Sequence, residues 1–354
     1  MTPELGLIEG YYGTPWSWAD RADQVAALAP HGYSFYIYAP KADVYLRRRW
    51  SEIHPQVEAQ ALSDFAAVCR AHRVRFGVGL SPFEIYGDFG TEAQTALAAK
   101  LKALDDLGVQ DLAILFDDMR GDLPSLAATQ TRILHWVAER TSATRLIFCP
   151  TYYADTPDLD RLFGARPANY LEDLGAALDP AIQIFWTGEE VCSLEYAPGH
   201  LARVTEQLRR KPFLWDNYPV NDGPRMSRHL HLRAFTGRPA SIGEHLAAHA
   251  VNPACQPVLT RIPAITLATS YREGEAYQHG RAFLAAAEAV LGSDLARRVH
   301  GHLTLLHDTG LDRLEDAVVP LRARYAAFDH PGAREIVAWL DGAYAVSRHD
   351  MEAS

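Results

Sequence analysis

Two carboxylates stand side by side at Asp117 and Asp118, at the end of the apolar run in 111-DLAILFDDMR-120. A buried strand that closes on adjacent acids holds them where they repel each other and are costly to desolvate. Catalysis is one reason to keep them there. Adjacent carboxyls titrate in two steps, so one can carry a proton while the other stays charged. Cleavage of a glycosidic bond needs that division, with a proton for the leaving oxygen and negative charge near the anomeric carbon. Neighbouring residues of a strand face opposite sides. Both carboxyls therefore reach one pocket only if the extended backbone ends between them, and Asp118 is expected to begin the turn. The competing reading is structural: Asp118 caps the next helix and Asp117 joins a surface ion pair.

The elements that would position this pair are legible as an alternation. Short apolar runs, rich in β-branched and aromatic residues, are 5-LGLIEGYYG, 33-YSFYIYAPK, 74-VRFGVGLSP, 111-DLAILFDD, 145-RLIFCPTYY, 181-AIQIFWTG, 212-PFLWDNY and a weaker 248-AHAVNPA. Their polar ends (Glu9, Ala39, Ser81, Asp117, Thr151, Thr187, Asp216 and Asn252) recur about every 30 to 40 residues. Helically patterned stretches such as 57-VEAQALSDFAAVCRAH and 92-EAQTALAAKLKALDDLG lie between them, and the last, 258-VLTRIPAITLATSYRE, is expected to be disturbed by Pro263. Eight βα units at this pitch predict an α/β fold, a (β/α)8 TIM barrel over residues 1–272. A doubly wound open sheet is the alternative, but 10-GYYGTP is not the GxGxxG turn such a sheet would carry for a dinucleotide. From residue 273 to 354 the pattern turns helical, a C-terminal helical segment that either packs on the barrel or supports a homodimer; simple packing is the favoured reading.

Composition narrows the function classes. The chain has 354 residues, 48% hydrophobic and 22% charged, which suits a globular protein with a large core. A net charge of -10 argues against phosphate-driven nucleic-acid binding. Four scattered cysteines form no CxxC pair, so neither a zinc site nor a disulfide framework is indicated. The pair 229-HLH-231 is read as surface rather than as metal ligands, and no metal and no cofactor are expected. The absence of a leader pattern and of a long apolar run predicts a cytoplasmic protein without membrane association.

In an α/β barrel the site lies at the C-terminal strand ends. Here those ends carry Glu9, Tyr38 and Lys41, the aspartate pair, Tyr152 and Tyr153, Trp186, Trp215 to Asn217, Asn221 and Asp222, and Asn252. Acids and amides grip hydroxyls, and aromatic faces stack on a pyranose, so these residues together suggest a sugar site. Trp186 is equally well explained as packing and is left outside the core site.

The ordered motifs IEGYYGTPW, YIYAPK, ILFDD, FCPTYY, FWTG, LWDNYPVND and VNPAC resemble glycoside hydrolase family 84, the O-GlcNAcase-like β-N-acetylglucosaminidases, over about residues 5–270. The resemblance implies a retaining exo-β-N-acetylglucosaminidase working by substrate assistance through an oxazoline intermediate, an exception to the usual two-carboxylate scheme. It implies that Asp117 orients the 2-acetamido group and that Asp118 is the general acid/base. It assigns ring hydroxyls to the Gly10 backbone and to Lys41, the neighbourhood of the acetamido group to Tyr153, an aromatic wall to Trp215, and sugar or acetamide contacts to Asn217, Asp222 and Asn252. Asp216 falls in a matching motif without a role. Relatives often carry two acids after the lysine; Ala42 removes one, which predicts altered hydroxyl contacts or subsite shape there. The implied partner is a GlcNAc-containing glycan, glycoside or glycopeptide, O-GlcNAc on serine or threonine included; the aglycone stays open among protein, chitin fragment, muropeptide and glycosaminoglycan. Two other readings remain: a catalytically weak GlcNAc-binding protein, and a metal-dependent barrel hydrolase, which would need histidine ligands at the strand ends.

Overall fold

A computed structural model describes residues 2–347, 349 and 351. Eight parallel strands close into a barrel in sequence order: β1 Glu4–Glu9, β2 Tyr33–Tyr38, β3 Arg75–Leu80, β4 Asp111–Leu115, β5 Arg145–Cys149, β6 Gln183–Trp186, β7 Phe213–Asp216 and β8 Ala248–Val251, with β8 pairing back onto β1. The TIM barrel expected from the eight-run pattern is thus the observed architecture. Its strands read as unbroken apolar runs because parallel strands inside a barrel are covered on both faces; all five residues of β4 are buried.

The helices α1 Trp18–Leu28, α2 Gln56–Ala71, α3 Thr91–Asp106, α4 Leu126–Ala138, α5 Asp158–Phe163, α6 Tyr170–Ala177, α7 Pro198–Leu208 and α8 Arg261–Glu273 surround the barrel. Local signals fix several of them. Ser17 and Asp20 form a reciprocal capping box at the start of α1. Pro263 does not disturb α8, because the helix begins at Arg261 and the proline falls in its first turn, where a missing N–H costs no helical bond. The seventh unit departs from the alternation: between β7 and β8 there are only short 3-10 turns, at Met226–Arg228 and Ala240–His245.

The barrel's interior is filled by Ile8, Phe35, Ile37, Leu115, Ile147, Phe185, Phe213 and Trp215 among others. Its N-terminal end is closed by Asp111, which is fully buried and accepts from Arg75 Nε at 3.2 Å and from Arg145, both of which also bind Glu4. Charge pairing at that end serves stability, since the open end lies opposite.

Beyond α8, α9 His279–Leu291 packs on α8, and α10 Ser293–Gly301, α11 Val318–Ala326 and α12 Pro331–Leu340 follow. Among the described residues no helix is long and apolar enough to cross a membrane.

Candidate active site

Asp117 and Asp118 sit where β4 gives way to a turn. The ladder ends at Leu115, earlier than expected, and Phe116 N–H makes a last bond to the Cys149 carbonyl at 2.9 Å. The change of direction falls at Asp118, whose φ of 55° is left-handed. That single residue turns what would be opposite-facing side chains into neighbours on one side.

Between the two carboxylates stands Lys41, brought in by the turn after β2. Its Nζ bonds Asp117 Oδ2 and lies 3.3 Å from Asp118 Oδ2, and its side chain is only 5% exposed. The lysine is held in place by its own N–H, which donates to the Tyr11 carbonyl at 3.1 Å. Burial alone would lower an ammonium's pKa, but the two aspartates outweigh it and keep Lys41 charged.

This cation changes the expected electrostatics of the pair. Burial pushes Asp118 toward the neutral acid, but Lys41, a hydrogen bond from Tyr12 and the nearby Arg47 together hold its carboxyl below the usual range. In the free site Asp118 is therefore ionised at neutral pH, and bare repulsion between the aspartates does not leave it protonated. Asp117 differs in another way: its Oδ1 is buried and accepts no hydrogen bond, an acceptor left open.

Tyr12, which the sequence reading passed over inside GYYG, ties the site together. Its hydroxyl donates to Asp118 Oδ2 at 2.6 Å and its N–H donates to Asp222 Oδ2 at 2.8 Å. Asp222, on the loop after β7, is pushed up to about 6 by burial, with the Tyr12 N–H opposing. Burial and the aspartates also raise Tyr153, so its phenol remains a donor at any physiological pH.

The floor is an amide network. Asn252 Oδ1 accepts from Gly10 N–H at 3.2 Å, and its Nδ2 donates to Asn217 Oδ1 at 2.8 Å. Asn217 Oδ1 also accepts from Trp215 Nε1 at 3.0 Å, while its Nδ2 reaches the Val191 carbonyl at 2.8 Å. The first, seventh and eighth strand ends and the loop after β6 are thereby fixed to one another. Trp215 is only 5% exposed, so it forms floor more than wall. Gly10 has no freedom to carry a side chain, since a Cβ there would stand 2.3 Å from the Trp215 ring.

Gly10, Lys41, Asp117, Asp118, Tyr153, Trp215, Asn217, Asp222 and Asn252 all line one cavity of about 510 Å³. The sequence reading missed Tyr12, Cys149, Leu159, Leu162, Phe163, Thr187, Val191, Cys192, Val220 and Met351 in its lining.

Other strand-end residues turn away from the cavity. Glu9 is clasped by Arg21 at 2.7 and 2.8 Å and by Tyr36 at 2.7 Å, between barrel and helices. Tyr38 bonds Asp43 at 3.0 Å, Tyr152 the Gly164 carbonyl at 2.7 Å, and Trp186 His200 at 2.9 Å. Asp216 forms a fully buried pair with Arg238 at 2.7 and 2.8 Å and meets His249 at 3.1 Å, which braces β7 from behind. Asn221 is spent on the His229 carbonyl, Gln256 and Cys255. Ala42 is exposed and outside the cavity lining.

The histidine pair is not the surface feature expected. His229 and His231 are half-buried in the long loop after β7, and His231 stacks on Tyr218 and lies 5.3 Å from the His307 ring. Burial drops His231 to about 4 and His307 to about 3, so both are neutral. Among the described residues no group of three or more histidines, cysteines or acids is arranged to hold a metal ion.

Comparison with known proteins agrees with the geometry. The Protein O-GlcNAcases of Mus musculus and Rattus norvegicus are each 29% identical to this chain over 280 residues, 75% of its length. The chain spans 30% of the length of those relatives. An O-GlcNAc hydrolase mutant from Thermobaculum terrenum has a structure that superposes with a TM-score of 0.78 at 27% identity, covering 96% of this chain and 80% of that one. The model of the beta-N-acetylglucosaminidase family matches residues 5–305, and with the barrel, the aspartate pair and the motif order in place, this chain belongs to that family.

Proposed function

We propose that the protein removes terminal β-linked N-acetylglucosamine with retention of configuration, the substrate's own acetamide acting as nucleophile. The observation that carries this reading is the open acceptor: Asp117 lines the cavity, and its Oδ1 is buried and unpartnered. An acetamide N–H is the donor it lacks. Held there, the acetamide turns its carbonyl oxygen toward the anomeric carbon, attacks as the C1–O bond breaks, and closes the oxazolinium ring. The Asp117 carboxyl stabilises the positive charge that forms.

Asp118 then supplies the proton to the departing oxygen and takes one back from the water that opens the oxazoline. Its carboxyl is ionised in the free site, so the substrate must change its surroundings. A sugar filling the mouth excludes water, which favours the neutral acid, and occupies the Lys41 ammonium with a hydroxyl. Tyr12 holds the Asp118 carboxyl in aim throughout. Lys41, Asp222, Asn217 and Asn252 serve hydroxyl and acetamide contacts on this reading, and Tyr153 caps the reacting centre. Retention of a full acid pair argues against a protein that only binds GlcNAc.

The test is kinetic. Asp117→Asn should lower kcat/KM for every 2-acetamido substrate by about 10²–10³. Asp118→Asn should lower it by about 10²–10⁴ for a GlcNAc-serine peptide or an alkyl glycoside, and by far less for a nitrophenyl glycoside, whose leaving group needs no proton. Equal losses on both substrate types would refute the assignment.

A further inference from the structure

The chain beyond α12 returns to the open end of the barrel. Glu335 on α12 accepts from Val258 N–H at 2.7 Å and Leu259 N–H at 2.9 Å, the turn between β8 and α8. Trp339 Nε1 donates to the Ser227 carbonyl at 3.1 Å, and Ser227 Oγ in turn receives Val346 N–H at 3.3 Å. Tyr344 packs on the cluster of Tyr11, Trp16, Val220 and Cys255, and Val346 is close enough to Gly13 that a Cβ there would be 3.0 Å away. Four separate anchors thus lay the tail over the loops after β1, β7 and β8. Its last described residue, Met351, is half-buried and lines the cavity that holds the aspartate pair.

We infer that this tail is a working part of the site, with Met351 a specificity-determining residue that favours an apolar group on the aglycone. The polar lining of the cavity comes from the strand ends and the loops that follow them, and its apolar lining includes, besides Trp215, Val191 and Val220, three residues of α5 (Leu159, Leu162, Phe163) and Met351. A GlcNAc ring takes up the polar part. The apolar part is left for whatever is attached to it. Leu162 is 72% exposed, so its apolar side chain is open for a group on the aglycone to cover. A thioether is suited to such a wall, since methionine is unbranched and adapts its shape to different apolar partners.

This inference rests on the glycosidase reading, and the experiment separates the two. Binding of methyl and phenyl 1-thio-β-N-acetylglucosaminide, which carry the same sugar and resist hydrolysis, is measured by calorimetry on the full chain. The variants are Met351→Ala, Met351→Leu and, as a control on the outer face of α9, Leu284→Ala. The wild type should prefer the phenyl ligand. Met351→Ala should reduce that preference about fivefold, Met351→Leu should restore most of it, and Leu284→Ala should leave it as it was. If Met351→Ala leaves the phenyl-to-methyl ratio of affinities unchanged, or weakens both ligands equally, the tail has no role in selecting the aglycone. If the wild type binds neither ligand, the GlcNAc reading itself fails.

Discussion

Asp222 offers a test in which pH and mutation must agree. Burial raises its carboxyl to about 6, while Tyr12 N–H anchors one of its oxygens and the side chain lines the cavity. Above pH 6 the group is an anion and can make a charge-assisted bond to a sugar hydroxyl, worth about 1.5–3 kcal/mol. Asp222→Asn keeps the shape and an acceptor for Tyr12 but removes the charge. At pH 8 the variant should therefore lose roughly 10- to 150-fold in kcat/KM, at 1.36 kcal/mol per tenfold. At pH 4.5 the wild-type group is already neutral, so the loss should shrink to a few-fold. The sign follows from the raised pKa: the advantage of the native residue grows as pH rises through 6 and vanishes below it. The assay is kcat/KM for a nitrophenyl β-GlcNAc glycoside from pH 4.5 to 8.5, read as the ratio of wild type to variant, which cancels titrations common to both. A ratio that is constant across the range would show that Asp222 does not titrate where burial places it. A ratio near one throughout would remove it from substrate binding.

Three further outcomes are expected. Lys41→Met removes the cation that holds Asp118 ionised, so the Asp118 carboxyl should move upward, and substrate binding should weaken with the lost hydroxyl contact; an unchanged pH profile of kcat/KM would contradict the geometry. Arg238→Met strands the fully buried Asp216 and should cost about 3–5 kcal/mol in urea unfolding; a loss below about 1 kcal/mol would mean that Asp216 is neutralised by other means. Glu335 is raised by burial from 4.5 to about 7, so its contribution to stability is complete below pH 4.5 and falls by roughly 3 kcal/mol as pH rises through 7. Glu335→Gln should not share that decline, and a stability difference between the two proteins that stays constant from pH 5 to 8 would refute it.

The barrel was readable because parallel strands leave a strong mark, an apolar run that stops at a polar end, repeated around the ring. The cavity's polar floor was readable for the same reason, since a barrel sends its strand ends to one place. Which strand-end residues face inward was not readable. In a strand apolar on both faces, alternation does not distinguish the pocket side from the helix side, and Glu9, Tyr38, Trp186 and Asp216 all turned out to serve packing or bracing. Tyr12 was hidden because an aromatic doublet after a strand is common; its meaning lies in reaching Asp118 and Asp222, far away in sequence. Met351 was hidden more deeply. Nothing local in the tail marks it, and only the anchors at Glu335, Trp339 and Val346 bring it back to the mouth.

The backbone at Asp118 carries a last consequence. A left-handed φ of 55° is unfavourable for any residue with a Cβ, by about 1 kcal/mol, and glycine escapes that cost. The conformation is nonetheless what brings the second carboxyl round to the side of the first. Asp118→Ala and Asp118→Gly both delete the carboxyl, its bond from Tyr12 and its contact with Lys41, so the loss of side-chain interactions cancels between them. Only the backbone term remains. In an ordinary extended or helical position the alanine variant would be the more stable, because glycine gains more entropy on unfolding. Here the order should reverse, with Asp118→Gly more stable than Asp118→Ala by about 1 kcal/mol in denaturant unfolding, though both lack the acid. If alanine proves equal or better, the strain is not there, and the two aspartates must be brought together by the surrounding loops rather than by the turn itself.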